Sequence, residues 1–155
     1  MPMLPREKYM KIQAKHPKLP EWDWLNRNFR LKVEEDGHVL EHVRASVVEK
    51  LDVLARSTIE PIIAGGESYC CYFERRMLTE VQKDEMFDIY RRLQALLWRS
   101  NALSVDFSEK AMAEWLADVR VEMERIKPRM LAICGRLSDG WLSYKKQPTE
   151  TAYHG

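Results

Sequence analysis

Apolar residues recur every three or four positions along most of this chain, a spacing that predicts helices rather than strands. Leu40, Val43, Val47, Leu51 and Leu54 share one face of a helix expected from Val39 to about Ile63. Pro61 should kink or end it, and Gly65 and Gly66 make a stop. Met86, Tyr90, Leu93 and Leu97 mark a second long helix, its stripe broadened by Phe87, Ile89, Leu96 and Trp98. Thr79 and Gln82 stand at capping-box spacing before it, and Asn101 is a suitable terminator. The last element is the most regular. Met112, Leu116, Val119, Met123, Ile126, Met130, Ile133 and Leu137 step alternately by four and three, a seven-residue repeat. Asp106 and Ser108 both offer caps for it, and Trp141 and Leu142 close the apolar stretch. Pro128 lies off that seam, so one kinked helix and two nearly collinear helices both fit. Ser68 to Met77 carries an apolar run, Tyr69 to Phe73, that its helical surroundings favour as a short helix.

The expected fold is all-α: an up-down bundle of three long helices plus one or two short ones, with an extended N-terminal segment. Residues 1–37 form that segment. Pro2, Pro5, Pro17 and Pro20 bar a long helix there, leaving room for a short one from Arg6 to Lys15. The remainder should lie extended over the bundle, pinned by Trp22, Trp24, Leu25 and Phe29, with a turn at Glu34 to Gly37. Residues 38–144 form the bundle, and residues 145–155 read as a loose, polar tail.

Composition sharpens this picture by exclusion. A chain of 155 residues fits one domain. Its 25 basic and 24 acidic side chains nearly cancel, which disfavours a strongly basic nucleic-acid binder and an acidic tail protein. Six glycines and seven prolines are too few for a turn-rich β-sandwich. The N-terminus has no apolar run of signal-peptide length and no stretch reaches the length of a membrane span, so no membrane association is expected and the cytoplasm is the expected location. Cys70, Cys71 and Cys134 are an odd count, read as reduced thiols packed as small apolar groups.

No motif specifies a reaction, and no cofactor is expected. Gly65 and Gly66 lack the Lys-Ser/Thr of a phosphate loop. His38 and His42, four apart at a helix start, can share a face and bind a divalent ion, but Val39 stands where a zincin has Glu. Arg30 and His38 are too far apart for the Arg/His pair of helical ribonucleases. Glu80/Asp84/Asp88 and Glu114/Asp118/Glu122 read as solvated acidic faces. Cys134, close to the last helix's seam, reads as a buried structural thiol.

The heptad seam and the tryptophans carry the main functional expectation: a non-enzymatic interaction or assembly module that meets a protein partner or a second copy through Trp22, Trp24, Leu116, Val119, Met123 and Met130. The alternative draws on the charge asymmetry. Up to Lys32 the chain holds eight basic and three acidic residues. Lys11, Lys15, Lys18, Arg27 and Arg30, interleaved with aromatics, suit contact with nucleic-acid phosphates and bases. A helical-bundle, metal-dependent hydrolase around His38 and His42 is the second alternative.

Overall fold

A computed structural model of the chain describes residues 3–66 and 68–145. The fold is all-α, with no strand among these residues. Seven helices follow in order: α1 (Pro5–Lys15), α2 (Trp22–Phe29), α3 (Val39–Asp52), α4 (Glu60–Ile63), α5 (Tyr69–Met77), α6 (Glu80–Val105) and α7 (Glu109–Leu142). The loose tail expected over 145–155 lies, apart from Lys145, outside the described residues.

The first long helix runs unbroken from Val39 to Ile63, because residues Val53–Ile59 widen into a π-helix that joins α3 to α4. Pro61 explains the widening. Its ring would strike the carbonyl of residue 57 in a regular α-helix, and the wide turn moves that carbonyl aside. The amide of Glu60 accordingly donates to the carbonyl of Ala55, five residues back. The extra residue rotates the buried face. Leu40, Val43, Val47 and Leu51 are fully buried as the 3.6-residue pattern requires, but beyond them Ala55 and Ile59 take the core while Leu54 is only partly covered. Gly65, with φ of +66°, then ends the run in a left-handed turn.

Helix α6 starts on the expected capping box: Thr79 Oγ1 accepts from the Gln82 amide at 3.2 Å, and Gln82 Oε1 accepts from the Thr79 amide at 3.1 Å. It passes Asn101 and ends at Val105. Ser108 caps α7, accepting from the Ala111 amide at 3.2 Å. α7 is one helix through Pro128, which sits on the exposed outer side, where the carbonyl its missing N–H leaves unbonded belongs to the exposed residue Glu124.

The core lies where α3, α6 and α7 meet. Met112, Leu116, Val119, Ile126 and Ile133 of the α7 seam are buried to 1% exposure or less, against Ile89, Leu93 and Leu96 of α6 and the buried face of α3. Trp115 is buried beside them and its indole N–H donates to the carbonyl of Leu96 at 3.0 Å. Arginine–carboxylate pairs line the outside of the α6–α7 contact. Asp88 accepts from Arg92 at 3.0 Å, from Arg129 at 2.9 Å and from Arg91 at 3.0 Å. Arg92 also reaches Glu122, and Arg99 pairs with Asp118 at 2.7 Å. The acidic faces read as solvated are in part this clasp.

The N-terminal segment differs from the expectation. Trp22–Phe29 is helical rather than extended, and after Lys15 irregular backbone is left at residues 16–21 and 30–38, the second stretch including a strap from Arg30 to Glu34. Leu25 and Phe29, four apart, give α2 a buried face, and that burial favours the helix. Tyr9 is the pin of this layer. It is fully buried, its hydroxyl donates to the Pro20 carbonyl at 2.6 Å, and its ring lies 5.4 Å from that of Trp22. Burial, with the Glu21 charge adding to it, holds the phenol above the usual tyrosine range. At the far end, His16 Nε2 and His38 Nε2 flank the Glu109 carboxylate at 3.1 and 3.8 Å, tying α1 and α3 to the start of α7.

Two outcomes follow for stability. Tyr9→Phe should cost about 1 kcal/mol and Tyr9→Ala about 3–5 kcal/mol in urea unfolding, because the second also leaves a cavity. For Asp88→Asn the expected loss is about 1–2 kcal/mol near neutrality. The guanidiniums of Arg92, Arg129 and Arg91 hold the Asp88 carboxyl well below the usual carboxylate range. Its contribution is therefore complete above that range and falls away as pH drops through the lowered value. Urea midpoints of the two proteins should differ constantly above about pH 5 and converge in strong acid; a gap that widens in acid would contradict the clasp.

Candidate functional site

The residues expected to form an interface sit mainly inside the chain. Leu116 and Val119 are fully buried, Met130 is 8% exposed and Met123 is partly covered, all facing this chain's own helices. Trp22 and Trp24 are partly buried anchors of the N-terminal layer. Trp24 lies 5.7 Å from Phe29, with the Arg120 guanidinium 5.5 Å over its ring. Arg120 in turn pairs with Glu21, so Trp24 fastens α2 to α7 while Trp22 packs on Tyr9 of α1.

The outward apolar surface is on α6. Phe87 and Trp98, expected to broaden the buried stripe, are 58% and 70% exposed, and Val105 is 89% exposed. At about 100° per residue the three fall within about 20° of one another, some 120–140° from the buried Leu93. They form a line of apolar side chains pointing away from the core. The signal was in the sequence: Phe87 to Trp98 is eleven residues, close to three full turns, and Trp98 to Val105 is seven. Reading them as part of one broad stripe concealed a second stripe. Gln94 fills the gap between the aromatics and Arg91 flanks it.

A second exposed apolar group closes the opposite end. The Phe73 ring on α5, flanked by those of Tyr69 and Tyr72, meets Trp141 and Tyr144 at centroid distances of 6.2 and 4.6 Å, and the Trp141 indole donates to Glu74 at 3.1 Å. No residue of α5 is buried, so this ladder holds α5 on α7 in place of a core contact. Gly140 allows the approach, since a Cβ there would fall 2.5 Å from Met77 Sδ.

The five basic residues of the N-terminal layer are divided between places. Lys11, Lys15 and Lys18 are exposed on α1 and the turn after it, toward the end where His16 meets Glu109. Arg27 and Arg30 lie at the end of α2, where Lys50 adjoins Arg30. Arg91, Arg92 and Arg99 are taken up by carboxylates, and Arg75 donates to the Ile63 carbonyl at 3.2 Å.

His38 and His42 turn to different partners. His38 caps α3, its Nδ1 accepting from the Leu40 amide at 3.3 Å, and its Nε2 faces Glu109; His42 Nε2 bonds the Asp36 carbonyl at 2.8 Å. Among the described residues no three metal-ligating side chains gather at one point. The cysteines are free but not packed as expected: Cys70 and Cys134 are exposed and Cys71 is half-buried. Cys134 follows Ile133, and one step along a helix carries it off the seam into solvent.

No helix among the described residues is long and apolar enough to cross a membrane. No family model, no curated protein and no solved structure matches the chain. The fold defines its class as a small all-α bundle.

The two stripes respond differently to charge. Leu116→Asp should abolish cooperative unfolding or the folded state itself, whereas Trp98→Glu should leave the far-UV spectrum unchanged and the unfolding free energy within about 1 kcal/mol of the parent. Thermal melts followed by circular dichroism separate the cases; equal tolerance at both positions would place the inner seam in solvent.

Proposed function

We propose that this chain is a non-enzymatic assembly module, acting in the cytoplasm, that associates with a second copy of itself through the outward stripe of α6. The observation that carries the reading is the alignment of Phe87, Trp98 and Val105 on one exposed line of a 26-residue helix. Large apolar side chains exposed singly are ordinary; a line of them with a tryptophan at its centre suits a helix–helix contact. The spacing favours a second copy. Two α6 helices related by a two-fold axis perpendicular to them run antiparallel, and with that axis passing midway between residues 87 and 98 each Phe87 meets the other copy's Trp98. The aromatics stand about 16 Å apart along the helix, so the pair forms two anchors with Gln94 and Arg91 between them. The three unpaired thiols are compatible with a reducing compartment.

Static light scattering over a dilution series tests this. The native chain should approach about twice its 18.4 kDa at high concentration. Phe87→Glu and Trp98→Glu should each hold it at the single-chain mass with helicity unchanged. A native chain that stays at single-chain mass throughout overturns the reading.

A further inference from the structure

A cleft of about 460 Å³ opens between the end of α2, the strap after it and the end of α3. Its lining includes Phe29, Arg30, Lys32, Glu49 and Lys50. Three of these five are cationic and one is acidic. The acid is already engaged, because Lys32 Nζ contacts both oxygens of Glu49 at 3.0 Å. Lys50 donates its ammonium to the Asn28 carbonyl at the end of α2 and lies 5.7 Å from the centre of the Phe29 ring. Lys127, on α7, adds a further positive charge close to Lys50. Glu124, one turn before Lys127, is occupied by Arg120. Among the described residues, neither the Arg30 guanidinium nor the Lys127 ammonium has an acidic partner.

Arg30 is held in an unfavourable backbone conformation. With φ of 49° and ψ of 65° it is the one non-glycine residue with positive φ among those described. Glycine or asparagine is the usual occupant of a left-handed helix end, and a long side chain is disfavoured there. Among the described residues the guanidinium makes no hydrogen bond or ion pair that compensates. Burial chiefly, and then the charges of Arg30 and Lys127, depress the Lys50 ammonium below its usual range. The fold thus tolerates both backbone strain and charge repulsion at one cleft.

We propose that this cleft binds a phosphoryl dianion carried by a small molecule, held by Arg30 and Lys50. Two cations facing one opening match a compact dianion, with the Arg30 fork suited to two of its oxygens. The volume fits a small phosphorylated compound. Nucleic acid would need cations spaced along a track, and Lys11, Lys15 and Lys18 lie toward the other end of the N-terminal layer.

The test is titration of the full chain with pyrophosphate at constant ionic strength, read by amide chemical shifts and by melting temperature. Pyrophosphate should shift the amides of residues 29–32 and 46–53 and raise the melting temperature more than equal ionic strength of chloride. Lys50→Gln and Arg30→Gly should each weaken binding by about tenfold or more, the loss of one charge-assisted contact. Glycine suits the left-handed position, so Arg30→Gly should melt at or above the parent temperature and a lost response cannot come from unfolding. No shift in those amides, or the same affinity in both variants, overturns the proposal. So does a single-stranded oligonucleotide that binds through Lys11, Lys15 and Lys18 and is insensitive to Arg30→Gly, which would give the charge to a nucleic-acid surface.

Discussion

Burial of the α7 seam against α6 and α3 is the contact on which the rest of the molecule depends. Met112, Leu116, Val119, Ile126 and Ile133 lose nearly all contact with water there, and at about 1.5–3 kcal/mol for each large apolar side chain this is a major part of the core's driving force. It also sets the geometry. Once the seam is inward, Arg92, Arg99 and Arg129 fall along the edge where Asp88, Asp118 and Glu122 can meet them, and the charges select the register that the apolar contact permits. Pro128 is tolerated because the same orientation turns its side of the helix outward.

The N-terminal layer is a second shell that cannot stand alone. α1 and α2 are short, and isolated helices of that length are marginal in water. They persist because Tyr9, Leu25 and Phe29 enter the core formed by the long helices. The strap that follows is fixed by Ser46, whose hydroxyl accepts from the Lys32 amide and donates to the His42 carbonyl, both at 3.1 Å. This arrangement brings the cations of α2 and the strap beside those of α3 and α7, and so turns a diffuse charge excess in the sequence into a local one.

Helix existence and type were legible because periodicity reports burial directly. The run from Val39 to Ile63, the capping box at Thr79 and the seam of α7 all express a side chain's immediate neighbours along the helix. What was not legible depended on the third dimension. A heptad repeat states that one face is apolar, not whether its partner is another helix of the same chain, and Leu116 and Met130 were assigned outward on that ambiguity. Phe87 and Trp98 share the three-to-four spacing of the buried positions, and only their angle around the helix, some 120–140° from Leu93, separates them from that stripe. The prolines before Trp22–Phe29 obscure its two-turn amphipathic pattern, which is too short to stand out as a helix. The π-helix was not predicted, though Pro61 supplied its cause. The cleft at Arg30 required α2, α3 and α7 to be assembled, and no local pattern announces such a convergence.

Hydrogen exchange of the native chain, measured at high and low protein concentration, reports what covers the seam. If the seam is covered by the chain's own helices, amides of α7 between about residues 112 and 133 exchange slowest and keep the same protection on dilution, close to that of global unfolding. If their protection instead falls with dilution, the seam is covered by another molecule and the account of this bundle is wrong.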